Sequence, residues 1–92
     1  MKDEDLFSLV AYVQNSSYRL KVLESIGNEL KKPKVISEDI NIRINHVSTS
    51  LSELKKKKII ECINEDMKKG RIYRTTETGK EVLNFLKSEK IK

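Results

Sequence analysis

Tryptophan is absent from this chain, and cysteine, histidine and proline occur once each among its 92 residues. One cysteine cannot close an internal disulfide, which suits a reducing compartment. One cysteine and one histidine make a zinc site within a single chain unexpected, so no metal and no cofactor are expected. Aromatic residues number five, three Tyr and two Phe, so the core must be built from Ile, Leu and Val. No apolar run approaches the roughly 18 residues of a membrane span. The opening Met1-Lys2-Asp3-Glu4-Asp5 is acidic and lacks the basic-then-apolar order of a signal peptide; a cytoplasmic protein is expected. Also missing are a Gly-rich phosphate loop, a paired-carboxylate constellation and a Cys-His-acid order, so catalysis is not expected. Cys62 falls in a β-like segment and reads as a small core residue, not a nucleophile.

What is present is charge, unevenly placed. Residues 1–54 hold seven Lys/Arg against eight Asp/Glu, whereas residues 55–92 hold twelve against six. Such asymmetry points to a side that faces a polyanion, although a generally Lys-rich surface has the same composition. The length fits one domain spanning 1–92, with a core small enough that a second subunit would help it.

Taken in order, residues 3–14 read as a helix. Asp3, Glu4 and Asp5 sit in its first turn, where negative charge suits the helix dipole. Leu6, Leu9, Val10 and Val13 form one apolar face, with Phe7 beside it. A helix this short needs something to pack on: it either covers the core or meets a second subunit, and a subunit contact through the N-terminal segment 1–15 is the favoured of the two. Asn15-Ser16-Ser17 offers an N-cap for a helix over 17–28, with Leu20, Leu23, Ile26 and Leu30 buried, Val22 beside them and Gly27-Asn28 as its stop. Tyr18 and Arg19 read as a packed ring and a solvated charge, or as DNA-backbone contacts. Pro33 suits the first position of a third helix, with Ile36 and Ile40 inward and Ser37 small enough for close helix approach. Asn41 falls at a turn where a left-handed conformation is often needed, and Ile42 follows as a plug. A fourth helix spans 44–57, with Ile44, Val47, Leu51 and Leu54 as its core stripe. Residues 59–64 and 71–75 read as two strands around a turn containing Gly70. Thr76 is a credible N-cap for a last helix over 77–88, with Val82, Leu83 and Leu86 inward and the residues after Ser88 frayed. This order, helix, tight turn, helix and hairpin, is that of a winged helix-turn-helix. The expected class is mainly α with a small β-hairpin: a three-helix core plus wing, flanked by N- and C-terminal helices.

At 100° per residue the side of the fourth helix opposite its core stripe carries Asn45, His46, Thr49, Ser52, Glu53 and Lys56, with Ser48 and Ser50 flanking. Polar residues there are also the ordinary exterior of any amphipathic helix. A major groove admits one α-helix and presents a distinct donor–acceptor pattern for each base pair. Asn45 can pair bidentately with adenine; His46, Thr49 and Ser50 can donate or accept; Ser48 and Ser52 suit phosphate, as do Arg43 and Lys56. Lys68, Lys69 and Arg71 surround the hairpin tip, residues 65–71, and Arg74 lies further down; the wing is expected along the DNA backbone or beside a minor groove, where Arg is favoured if the groove is narrow.

Ser17-Tyr18-Arg19 with Val22-Leu23, Pro33 with Ile36 and Ile40, and Val47-Ser48 with Leu51 and Leu54 carry a family likeness. So do Ile59-Ile60-Glu61, Gly70-Arg71-Ile72-Tyr73 and Thr76-Glu77-Thr78-Gly79-Lys80. Over 17–86 the sequence resembles archaeal winged-helix transcriptional regulators of the ArsR and MarR groups. The resemblance implies a recognition helix carrying Val47-Ser48 in the major groove, a wing on DNA, and a homodimer on an inverted repeat, held by the terminal helices. Arg43 stands where that family often has a capping Ser or Thr, and Lys58 where it often has Gly, so the exit of the fourth helix is expected either to differ from the family's or to be strained. The cysteine pairs and histidine-acid clusters of metal-sensing relatives are missing, and no metal response is expected. The expected function is that of a sequence-specific, double-stranded-DNA-binding regulator, acting as a dimeric repressor. The alternative is a winged helix serving as a protein-interaction module in a transcription or replication assembly.

Overall fold

The structure, a computed structural model, describes residues 3–90. Helix α1 spans Asp3–Gln14, α2 Ser17–Ile26, α3 Pro33–Ile40 and α4 Ile44–Lys56; strands β1 (Ile60–Cys62) and β2 (Tyr73–Thr75) form a hairpin, and α5 spans Glu77–Lys90. Residues 1–2 and 91–92 lie outside the described residues, as do the side chains of the acidic first turn of α1.

Local chemistry sets most of these boundaries. The Ser16 hydroxyl accepts from the Arg19 amide at 3.2 Å, which satisfies one of the orphan donors at the start of α2. Pro33 opens α3, where its missing N–H costs nothing. Asn41 ends α3 in the left-handed region, at φ 56° and ψ 49°, and its amide bonds back to the Ser37 carbonyl. The exit of α4 is left-handed at Lys58, with φ 62°. The Ile59 amide bonds to the Leu54 carbonyl and the Lys58 amide to the Lys55 carbonyl, the pattern that glycine usually permits. Thr76 caps α5, accepting from the Gly79 amide at 3.1 Å, while its own hydroxyl donates to the Lys58 carbonyl at 2.7 Å.

The core is aliphatic, as the scarcity of aromatics requires. Val22, Leu23 and Ile26 of α2 are fully buried, and Val13, Ile36, Val47, Leu54, Ile59 and Val82 join them from every other helix and from the start of the hairpin. Helix α2 touches α1, α3, α4 and β2, so it is the post around which the rest is arranged. Each such side chain contributes roughly 1.5–3 kcal/mol on burial. The hairpin pairs Ile60 with Thr75, Glu61 with Arg74 and Cys62 with Tyr73. Lys31 adds a further antiparallel bridge to Tyr73, through amide-to-carbonyl bonds of 3.0 and 2.8 Å in the two directions.

Several expectations need correction. Helix α2 stops at Ile26, because Gly27 takes φ 52°, so Leu30 falls beyond the helix and is 57% exposed. Ile44, expected in the core stripe, is 48% exposed. Ile40 and Ile42 are only partly buried against the core. The strands are three residues each, because Asn64 takes over the backbone pairing where the second strand was expected to begin. Helix α5 continues to Lys90, past the expected end at Ser88.

Candidate nucleic-acid interface

The turn between α3 and α4 is tight for identifiable reasons. The Ser37 hydroxyl donates to the Ile42 carbonyl across it, and the Ile42 amide donates to the Ser37 carbonyl at 3.2 Å. A larger side chain at residue 37 would push the two helices apart. Helix α4 then begins without a side-chain cap, since Arg43 supplies only its carbonyl, to the amides of His46 and Val47.

Helix α4 buries Val47, Ser50, Leu51 and Leu54. Asn45, Ser48, Thr49, Ser52 and Lys56 stand exposed on the outward side, as does Arg43 just before the helix. The Thr49 hydroxyl donates to the Asn45 carbonyl at 3.1 Å. Ser50, expected among the DNA contacts, is 2% exposed. It lies on the flank of the helix nearer the core and cannot reach a partner outside the molecule.

One flank of α4 leans toward α2. His46 is exposed, and its ring lies 4.9 Å from that of Tyr18, tilted by 34°. Glu53 accepts from the Arg19 guanidinium at 3.1 Å, which removes it from the set of groups aimed at bases. Arg19 also donates to the Tyr12 carbonyl at 2.9 Å and sits 3.9 Å above the Tyr12 ring. Arg19 is therefore neither solvated nor reaching outward; it joins α1, α2 and α4.

The other flank faces the hairpin across a groove of about 660 Å³. Ile44, Ser48, Ser52 and Lys55 of α4 form one wall, Lys68, Lys69 and Arg71 the opposite one, and Lys32 and Lys34 stand at the end near the start of α3. No acidic residue among the described ones lines it. Lys55 reaches out of it to pair with Glu65 at 2.6 Å. That hydrogen bond and the lysine charge hold the Glu65 carboxyl below its ordinary range, and the same bond raises the Lys55 ammonium.

No family model matches the chain, and no curated protein sequence matches it. Two solved structures are similar to it across nearly the whole length. One is TubR bound to 24 bp of tubC from Bacillus thuringiensis serovar israelensis, with TM-score 0.79, 15% identity, and 91% of this chain and 94% of that chain covered. The other is quinone-bound YodB from B. subtilis, with TM-score 0.76, 19% identity, and 92% and 91% covered. The fold is a winged helix-turn-helix. In its terms α3 and α4 are the helix-turn-helix pair and the hairpin is the wing.

The wing is shaped by Asn64, whose carbonyl oxygen accepts from the Ile72 amide at 2.8 Å and whose amide donates to the Gly70 carbonyl at 3.1 Å. The Cys62 thiol, buried, donates to the same oxygen at 3.4 Å. Lys68 and Lys69 stand exposed at the tip. Arg71 is committed to the turn: it donates to the Met67 carbonyl at 2.8 Å and to the Glu65 carbonyl at 3.3 Å, although it still lines the groove. Arg74 does not belong with these cations. Alternation along β2 sends it to the face opposite Tyr73, where it pairs with Glu61 and lines a separate cavity with Glu77 and Lys80. Lys32, Lys34 and Lys55 are the cationic groove residues that the sequence reading left out of its site. The run Lys31-Lys32-Pro33-Lys34 marks a basic helix start, and that signal was available. Among the described residues no group of His, Cys, Asp and Glu is placed to hold a metal ion, and no helix is long and apolar enough to cross a membrane.

Proposed function

We propose that the chain is a sequence-specific, double-stranded-DNA-binding transcriptional regulator, a homodimeric repressor like the archaeal ArsR/MarR-type proteins it resembles. The observation that carries this reading is the outward side of α4. It is polar and unobstructed over Asn45, Thr49, Ser52 and Lys56, and it is bordered by a groove whose charged lining is entirely cationic. TubR, a neighbour of the same fold, was solved bound to 24 bp of tubC, which supports DNA as the partner. In this reading α4 enters the major groove. One sugar-phosphate strand follows the wing side of the groove, past Lys32, Lys34, Lys68 and Lys69, and leaves the leading turn of α4 to the bases. The terminal helices α1 and α5 join two copies on an inverted repeat.

A gel-shift series at rising salt tests it. Each phosphate neutralised contributes a slope of about −0.9 in log K against log salt. Replacing Lys34 or Lys69 by Ala is expected to weaken all sequences alike and to make the slope shallower by about one, whereas replacing Asn45 by Ala erodes preference for the selected site. Failure to retain any duplex at low salt would sink the proposal.

A further inference from the structure

The apolar residues of α4 divide sharply. Leu51 is 2% exposed and Val47 and Leu54 not at all, while Ile44 is 48% exposed. Ile44 is the first residue of the helix, on the wall of the basic groove, one turn above Ser48 and near Pro33. Exposure alone is no signal, since isolated surface apolar residues are normal; Leu30 and Ile63 are 57% and 43% exposed. Neither of those lies on α4 or lines the groove. Ile44 is the large aliphatic side chain open to solvent at the leading turn of the helix, the part of a recognition helix that meets base edges.

Base edges in a major groove are mostly donors and acceptors, and the one methyl group that projects from them is the C5 methyl of thymine. An isoleucine set against the amino or carbonyl groups of the other bases would desolvate them without returning a hydrogen bond. Against thymine it buries methyl on methyl. We infer that Ile44 is a specificity-determining residue whose side chain packs on the C5 methyl of one thymine in each half-site. This rests on the DNA-binding reading above and adds to it a base identity at one position. It reverses the sequence assignment, which placed Ile44 in the core.

The test uses the intact chain and duplexes selected by it from random DNA. Each thymine of the selected site is replaced singly by deoxyuridine, which lacks only the methyl group. At one thymine per half-site the wild type is expected to lose about fourfold in affinity, the factor that burying one methyl group is worth. Ile44→Ala binds the thymine and uracil duplexes equally at that position. Thr49→Ser, which removes the other exposed methyl on this side of the helix, leaves that penalty intact. Indifference of the wild type to uracil at every thymine overturns the inference, and so does an Ile44→Ala variant that keeps the same penalty. The wild-type arm needs no variant, so a folding defect in Ile44→Ala cannot mask the answer. If selection enriches no sequence at all, the failure lies with the regulator reading itself, and the two failures are distinguishable.

Discussion

Lys58 holds a conformation that costs a side-chain-bearing residue roughly 1–2 kcal/mol. What it contributes in return is backbone: its carbonyl receives the Thr76 hydroxyl, and its amide closes the last turn of α4. Both survive replacement by glycine. Lys58→Gly is therefore expected to raise stability in urea denaturation by up to about 1 kcal/mol, once the greater freedom of glycine in the unfolded chain is subtracted. A loss of stability would mean that the Lys58 side chain makes a contribution of its own. Asn41 is the counterpart at the other left-handed position, and there the sequence already carries a residue that tolerates it. At this scale the sequence was readable where one residue does one local thing. Pro33, Asn41 and Thr76 each occupy the role their chemistry suggests. It was unreadable for Ser50 and Ile44, whose environments depend on where neighbouring elements lie. A helical wheel places both on the margins of the buried arc, and only packing decides which margin is covered.

Among the elements, the junction of α1, α2 and α4 depends on Arg19. Its side chain is 14% exposed, and the guanidinium spans a ring and a carbonyl on α1 and a carboxylate on α4. Arg19→Ala leaves Glu53 without its cation and is expected to cost about 2 kcal/mol, the range for hydrogen bonds to charged groups. Arg19→Lys recovers only part of that, because an ammonium cannot reproduce the fork and the stacked plane. Equal stabilities of Arg19→Ala and wild type in denaturant titration would contradict this. No local pattern announces a contact across 34 residues, which is why Arg19 read as a solvated charge. The wing has its own anchor in Lys55 and Glu65. A carboxyl held below its ordinary value contributes stability that is full above that value, near 4.5, and is lost as pH falls through the lowered one. Lys55, raised, contributes fully below its ordinary value near 10.5 and loses that contribution as pH rises past the raised one. Asp39 is lowered chiefly by its hydrogen bond from Lys31, so it fails in the same acid window. Relaxation measurements by NMR are expected to show the wing turn loosening as pH drops below the carboxylate range while α2 and α4 stay ordered. Simultaneous loss of all elements would show that these pairs do not act locally.

For the whole molecule, the proposed function calls for a second copy. Phe7 is 58% exposed on α1 and meets Phe85 of α5 edge-on, with ring centroids 5.5 Å apart. These two rings sit on the helices proposed to join subunits. The proposed homodimer is expected to sediment at about twice 10.7 kDa, and Phe7→Glu is expected to return it to a single-chain mass. The same variant should bind an inverted repeat far more weakly than the wild type while retaining its secondary structure. A wild type that remains a single chain at high concentration would dismiss the dimer without touching the fold.

The backbone bridge between Lys31 and Tyr73 has a mechanical consequence. It buttons the base of the wing to the segment that leads into α3, and α3 is locked to α4 through the Ser37 turn. The spacing between helix and hairpin is thus a fixed caliper. In the proposed complex a duplex gripped by both would have to adjust its own groove width to fit, and stiff and pliant sequences would differ in how readily they comply.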